Sequence, residues 1–272
     1  MTENASRNIV YRSDEIARFY GANRDAWEGF YPSERWVFEQ VAARRADGLG
    51  GGLSGGLGGV LDVGCAAGGL GHALAQRRLL TNYTGIDINP QAIEAAGRKG
   101  VPMGVTHAFI AGDLLEARDL DGRAFDTVFS LSCVDWNVEL ERMIDRCWEL
   151  VAPGGTFILS VRLTDGPGVT DMTRSYQYVA FGDDMPEDAE KAPYAVLNVS
   201  DMIGLLSARD PMPSHILGYG YWGPPSRMAR TPFQSVVFAV FALTRPRGQD
   251  DQPADQPVLE LRLPWSVWRR QT

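Results

Sequence analysis

Three aspartates stand at or near the ends of successive apolar runs: Asp62 within Val60-Leu61-Asp62-Val63, Asp87 within Tyr83 to Ile88, and Asp113 just after Ala108-Phe109-Ile110. Between the first two runs lies Gly64-Cys65-Ala66-Ala67-Gly68-Gly69-Leu70-Gly71. Glycines directly after a buried strand let the chain turn tightly and let a ligand approach the backbone, while the helix that follows offers unpaired N–H groups. A carboxylate ending the second strand can accept both hydrogen bonds of a ribose diol, and Asp87 has that position. Asp113 adds another acceptor at the same sheet edge. The loop alone would suit any dinucleotide-binding strand-turn-helix; the ordered set of loop and carboxylates is the more specific signal.

The elements that must position these groups follow from the hydrophobic pattern. Residues 12–46 read as amphipathic helix interrupted near Tyr31-Pro32, with Ser33 as the expected N-cap of a helix Glu34 to Arg45. Residues 48–59 are glycine-rich and read as a flexible linker. They lack the Gly-Lys-Ser/Thr ending of a phosphate loop. Short apolar runs then alternate with helical segments, which predicts βαβ units and a mostly parallel sheet. The strands are expected at Val60–Val63, Tyr83–Ile88, Ala108–Ile110, Phe125–Leu131, Thr156–Val161, His215–Tyr221 and Ser235–Leu243, with Val258–Leu263 as a further edge strand. Ala152-Pro153-Gly154-Gly155 reads as a turn. Residues 163–195 break the rhythm and are too long for an ordinary connection, which marks an insertion or lid. The resulting organisation is a helical N-terminal cap (1–47), a linker (48–59), a core (60–245) carrying the insertion, and a C-terminal extension (246–272).

Taken in order, these segments resemble the class I, Rossmann-like S-adenosylmethionine-dependent methyltransferases. The motifs that carry the resemblance run from Val60 to Val161: Val-Leu-Asp-Val-Gly-Cys-Ala-Ala-Gly, Asp87, Ala111-Gly112-Asp113-Leu114, Phe125-Asp126-Thr127-Val128-Phe129-Ser130 and Leu150-Val151-Ala152-Pro153-Gly154-Gly155. The resemblance implies an α/β, doubly wound, mostly parallel seven-stranded sheet with an antiparallel closing strand beside the fifth, for which Ser235–Leu243 is the candidate. It implies S-adenosyl-L-methionine as cofactor, its methionine end at Asp62, Gly64, Cys65, Ala66 and Gly68. Ala66 stands where the family pattern has glycine. Asp87 with Ile88 would hold the ribose, Asp113 with Leu114 the adenine, and Ser130, Ser132 and Cys133 would line the path to the transferred methyl.

In open α/β sheets ligands sit beyond the carboxyl ends of the strands, and this sorts the remaining candidates. Asp135, after the fourth strand, is the candidate general base; Trp136 and Asn137 accompany it. Tyr20, Tyr31, Trp136, Arg162 and Tyr219 are the candidate acceptor-binding residues, aromatics being suited to stacking on sugars or rings and arginine to anions. His107 and His215 fall at the opposite edge, and His72 lies on a helix. Methyl transfer to a small-molecule acceptor, with a sugar or specialised-metabolite hydroxyl foremost, is the expected activity. A nicotinamide-dependent oxidoreductase and a non-catalytic adenosylmethionine-binding protein are the alternatives.

The 272 residues carry a formal net charge of -8, which disfavours a nucleic-acid partner. The three cysteines, Cys65, Cys133 and Cys147, have neither disulfide nor zinc spacing, so no metal is expected. A polar start, Met1-Thr2-Glu3-Asn4, and short apolar runs predict a cytoplasmic protein without membrane association. Nothing in the residues specifies an oligomeric state.

Overall fold

A computed structural model describes residues 7–9, 11, 24–46, 56–179, 189–248, 251 and 255–268. After a 3₁₀ turn at Trp27–Gly29 the elements are α1 (Pro32–Ala46), β1 (Gly59–Val63), α2 (Gly69–Gln76), β2 (Asn82–Asp87), α3 (Pro90–Lys99), β3 (Thr106–Ala111), β4 (Phe125–Ser130), α4 (Leu140–Glu149) and β5 (Val151–Thr164). There follow β6 (Tyr176–Tyr178), β7 (Lys191–Pro193), β8 (Leu197–Asn198), α5 (Val199–Ser207), β9 (His215–Gly223), β10 (Ala229–Arg230), β11 (Val236–Thr244) and β12 (Val258–Arg262).

The central sheet has the order β12-β9-β11-β5-β4-β1-β2-β3, with β8 pairing onto the end of β5. Pairs from β5 through β4, β1 and β2 to β3 are parallel, and β11 is antiparallel to both β5 and β9. The antiparallel strand is thus where the resemblance implied it, while β12 extends the expected seven-stranded sheet by a parallel edge strand on β9. From β1 the chain winds outward to β2 and β3, then returns to place β4 on the other side. This reversal is a topological switch point, and it opens a crevice at the carboxyl ends of β1 and β4.

Each sheet face is covered by helices. On one, Met143, Ile144, Cys147 and Trp148 of α4 and Val199, Met202 and Leu206 of α5 pack against Phe157, Leu159, Val237 and Phe241. On the other, Val37, Phe38 and Val41 of α1 and Leu70, Ala73 and Leu74 of α2 pack against Val60, Phe129, Ile158 and Val240. All five residues of β1 are buried, as expected for a central strand covered on both sides.

Several local expectations require correction. α1 begins at Pro32, so Ser33 lies inside the helix, fully buried, rather than at its N-cap. Proline suits the first helical position, and Glu34 reaches back to accept the Tyr31 N–H at 2.8 Å, which is the returning half of a capping box. The glycine-rich segment ends in folded structure: Leu57 is fully buried, and its carbonyl accepts from Thr127 Oγ1 at 2.7 Å and Arg45 Nη1 at 2.8 Å. Residues 48–55 lie outside the described residues. The Pro-Gly-Gly turn is a bulge within one long β5, where Phe125 pairs with Val151 but Thr127 already pairs with Thr156. In the segment 163–195, β6 pairs with β7 and β10 in a small antiparallel sheet. Tyr194 and Val196 pack beside Val236 beneath it. The acidic run 183–188 lies outside the described residues. No described helix is long and apolar enough to cross a membrane.

Candidate functional site

The glycine loop is shaped by backbone conformation and by a single carboxylate. Gly64, Ala66 and Gly68 all take positive φ, at 75°, 46° and 75°. A Cβ on Gly64 would lie 2.7 Å from Cys133 Sγ, so the close approach of the β4 end to the loop needs glycine there. Ala66 accepts the left-handed conformation at a cost of about 1–2 kcal/mol. Its N–H donates to Asp87 Oδ2 at 2.8 Å, while Asp87 Oδ1 accepts the Asn89 N–H at 2.8 Å. Gly64 and Cys65 both donate to the Ile86 carbonyl, at 2.9 and 3.1 Å. Asp87 therefore ties the loop after β1 to the loop after β2. A carboxylate has about four lone-pair sites, so acceptor capacity remains for a ligand.

Asp62 is buried beneath the loop, where Tyr83 OH donates to its Oδ2 at 2.6 Å. Burial pushes its carboxyl up to about 7, and the neighbouring Asp87 adds to this while the Tyr83 hydrogen bond opposes it. Burial likewise raises Asp87 against its two backbone hydrogen bonds. Asp113 follows β3, its Oδ1 accepting the Leu115 N–H at 2.9 Å.

These groups share one cleft of about 950 Å³, open mouth included, at the carboxyl edge of β1, β2, β3 and β4. Of the residues expected at the cofactor, Asp62, Gly64, Cys65, Ala66, Asp87, Ile88, Asp113, Leu114, Ser132 and Cys133 line it. Gly68 and Ser130 do not: Gly68 is the N-cap of α2 against the Phe109 ring, and Ser130 is fully buried in β4. The wall also includes Leu131, between the expected Ser130 and Ser132, and Arg24, Phe30, Asn89 and Met143, which sequence reasoning missed. Asn89 had a readable signal, an asparagine directly before Pro90, and its side chain caps α3 by accepting from Gln91 and Ala92 N–H. Arg24 and Phe30 had none, because the N-terminal segment reaches the cleft only through tertiary packing. Arg24 pairs with fully buried Glu34 at 2.8 Å, and its carbonyl sits over Gly69, 2.3 Å from where a Cβ would be.

The candidate base needs the clearest correction. Asp135 is 4% exposed and does not line the cleft. Its carboxylate forms a buried ion pair with Arg162 at 2.8 Å. Arg162 also donates to the Asp135 and Ala195 carbonyls at 2.8 and 3.2 Å, and stacks 3.6 Å from the Tyr194 ring centroid. The pair clamps the tip of β5 to the turn after β4 and to the inserted segment. Neither partner lines the cleft. Among the other acceptor candidates, Trp136 lines the cleft, whereas Tyr219 packs on Trp36 at 5.2 Å and Tyr31 stacks on Phe238 at 6.0 Å. Tyr20 lies outside the described residues. Tyr11 lines the cleft and donates to the Trp136 carbonyl at 3.1 Å. The histidines sit elsewhere: His72 contacts the Gly100 carbonyl at 2.7 Å, His107 the Val105 carbonyl at 2.9 Å, and His215 the Arg44 guanidinium. No cluster of metal-ligating side chains occurs among the described residues.

With this geometry in place, residues 60–155 match a family model described as "Methyltransferase domain". The match makes this part of the chain similar to a methyltransferase domain. The chain is 30% identical over 162 residues to a ubiquinone biosynthesis O-methyltransferase of Alkalilimnicola ehrlichii, covering 58% of this chain and 62% of that protein. It is 39% identical over 102 residues to a ribosomal protein L11 methyltransferase of Laribacter hongkongensis, covering 37% and 31%. The chain thus spans less than two thirds of either relative. A solved S-adenosylmethionine-dependent methyltransferase of Clostridium acetobutylicum shares the fold, with a TM-score of 0.51 at 11% identity over 84% of this chain and 98% of that one.

Proposed function

We propose that the methyltransferase domain binds S-adenosyl-L-methionine in the carboxylate-lined cleft and transfers its methyl group to a hydroxyl of a small molecule, a sugar or specialised metabolite. The observation that carries this reading is the convergence of Asp62, Asp87 and Asp113 with the Gly64–Ala66 bend on one cleft. The donor set fits the group. Asp62 and the bend suit the cationic methionine end, Asp87 has acceptor sites for the ribose diol, and Asp113 with Leu114 offers an acceptor beside an apolar wall for adenine. When bound, the cofactor would supply a methyl carbon activated by the sulfonium for transfer to an acceptor oxygen, whose proton would pass to solvent.

The chain's own contribution is alignment and exclusion of water. Phe30, Leu131 and Met143 give the cleft apolar wall, and Arg24, held by Glu34, fixes the N-terminal segment across the start of α2. With Asp135 committed to Arg162, the reading assigns it no proton transfer. The matched relatives bear names with unlike acceptors, a quinone-pathway compound and a ribosomal protein. The choice of a small molecule is supported instead by the partly enclosed cleft and by the net charge of -8, which opposes a nucleic-acid acceptor. Trp136 in the wall supports a stacked ring or sugar. We place the activity in the cytoplasm, consistent with three cysteines that form no disulfide.

Calorimetric titration with S-adenosylhomocysteine tests the cofactor assignment, and absence of binding by folded protein defeats it. Incubation with S-adenosylmethionine and a panel of hydroxylated acceptors, read as S-adenosylhomocysteine formed, tests the transfer. Tight binding with no turnover on any acceptor class would favour the non-catalytic alternative.

A further inference from the structure

The strand β12 forms one edge of the central sheet, parallel to β9 and paired with it without a bulge from Val258 to Arg262. Its ladder begins with the Val258 N–H, which donates to the Ser214 carbonyl at 3.1 Å. Alternate residues of a parallel strand bond to the same neighbour, so Val258, Glu260 and Arg262 turn their peptide groups toward β9. Leu259, Leu261 and Leu263 then turn theirs outward, where no strand follows among the described residues. Edges of this kind are ordinarily guarded by lysine, proline or a bulge. Val258-Leu259-Glu260-Leu261-Arg262 has none of these. Val258, Leu259 and the nearby Trp265 are 63%, 45% and 75% exposed.

The side chains of β12 divide by face. Glu260 and Arg262 lie on the α1 side: Glu260 accepts from Arg44, and the Arg262 guanidinium sits 4.8 Å from the Trp36 ring centroid. Leu261 and Leu263 pack against the core on the other side. A two-fold axis normal to the sheet sets a second β12 antiparallel to the first. Outward-turned residues must then face one another, and the registers that pair most of the strand are centred on Glu260 or on Leu261. The first sets the two Glu260 carboxylates opposite each other. The second sets Leu259 opposite Leu263 and, twice, Glu260 opposite Arg262. Those two hold the non-hydrogen-bonded position, with Cα atoms about 4.5 Å apart, where opposite charges attract and like charges repel most. Glu260 already interacts with Arg44, His215 and the Arg262 of its own strand. Charge therefore selects the register, while the drive comes from open peptide groups and exposed apolar surface.

We propose that two copies of this chain associate along β12, antiparallel and in register about Leu261, so that their central sheets become one. The occupant is a second copy because the strand is complementary to itself. Each outward N–H of Leu259 and Leu261 meets a carbonyl of the other copy, and each Glu260 meets an Arg262. Trp265, which follows the strand, is carried toward the exposed Val258 end of the other copy, where its ring finds apolar cover. No residue of the cofactor cleft takes part, so the proposal is independent of the methyltransferase reading.

Sedimentation velocity and light scattering on the full chain, over a wide range of concentration, test it. Twice the chain mass is expected, falling to the chain mass on dilution. Leu259→Pro removes an outward donor and leaves the bonds to β9, so it should raise the dimer dissociation constant about tenfold or more. Arg262→Glu sets like charges opposite at both cross-pairs and should raise it about tenfold. Leu259→Lys guards the edge without touching the backbone, and it decides in place of Leu259→Pro if the proline variant does not fold. Circular dichroism matching the parent shows that a variant is folded. A chain that stays monomeric at every concentration overturns the proposal. So does a dimer that the folded Leu259 variants leave intact, or one that Arg262→Glu dissociates no more readily than the parent, since the register is then wrong.

Discussion

Replacing Asp135 by asparagine separates a catalytic aspartate from a clamping one. Its carboxylate lies 2.8 Å from Arg162 Nη2, with side-chain exposures of 6% for the arginine and 5% for the aspartate. Removing one member of a buried pair leaves the other charge uncompensated and costs about 3–5 kcal/mol. Here Arg162 keeps the Asp135 and Ala195 carbonyls and the Tyr194 ring, all of which survive in the variant. The cost should therefore fall near the lower end, about 3 kcal/mol. At about 2–4 °C per kcal/mol for a chain of this size, Tm drops by roughly 6–12 °C. The assay pairs thermal or urea unfolding with S-adenosylhomocysteine titration and turnover, all measured well below the variant's Tm. A combined Asp135→Asn, Arg162→Gln variant should lose less than the two single losses added, because the second change removes the charge stranded by the first. The reasoning fails if Asp135→Asn melts like the parent while turnover falls by about 10²-fold or more, the signature of a lost general base.

Asp62 supplies a pH signal. Its folded value near 7 lies above the ordinary 3.8, so its contribution favours folding at low pH and is lost as pH rises toward 7. A cationic ligand would draw the carboxylate into its charged form, so cofactor binding near pH 6 should release most of a proton, and Asp62→Asn should abolish that release in titrations run in two buffers. Gly64→Ala, at φ 75° and 2.7 Å from Cys133 Sγ, should weaken S-adenosylhomocysteine binding at least tenfold and lower stability by about 1–2 kcal/mol or more. By contrast Gly97→Ala, in α3 with open space around it, should stabilise the protein by about 0.5–1 kcal/mol in urea unfolding. Arg24→Ala strands the buried Glu34 carboxylate and should both weaken cofactor binding and speed proteolysis of the N-terminal segment; unchanged values of both would remove its role as a clasp.

The strands and the cofactor loop were legible because their signals are local. Val60-Leu61-Asp62-Val63 is apolar enough for a central strand, and Gly64 and Gly68 mark a bend that only small residues make easily. Pro90 and Asn89 mark the start of α3 within two residues. Long-range pairing was not legible. Position relative to the sheet placed Asp135 and Arg162 at the correct edge, but not their engagement with each other across 27 residues. Arg24 and Phe30 reach the cleft because Glu34, in the first turn of α1, anchors the segment, and no periodicity encodes that bond. Tyr219 was assigned by strand end, yet its packing on Trp36 was decided by α1 crossing that face of the sheet.

The electrostatics of the cleft argue for the charge type of its ligand as well as its shape. Asp62 and Asp87 are both buried, and the Asp87 charge is among the causes that raise Asp62. Asp113 stands on the same wall, and Arg24, the arginine on that wall, pairs with Glu34 while its charge opposes the rise at Asp62. A nicotinamide dinucleotide would bring its anionic pyrophosphate against these carboxylates, and the carbonyl of Arg24 lies over Gly69, where a helix N-terminus would otherwise receive phosphate. A ligand with a sulfonium and an ammonium brings charge of the opposite sign to the same carboxylates. Its binding is favoured by the repulsion it relieves, and that relief is greatest where Asp62 is least solvated.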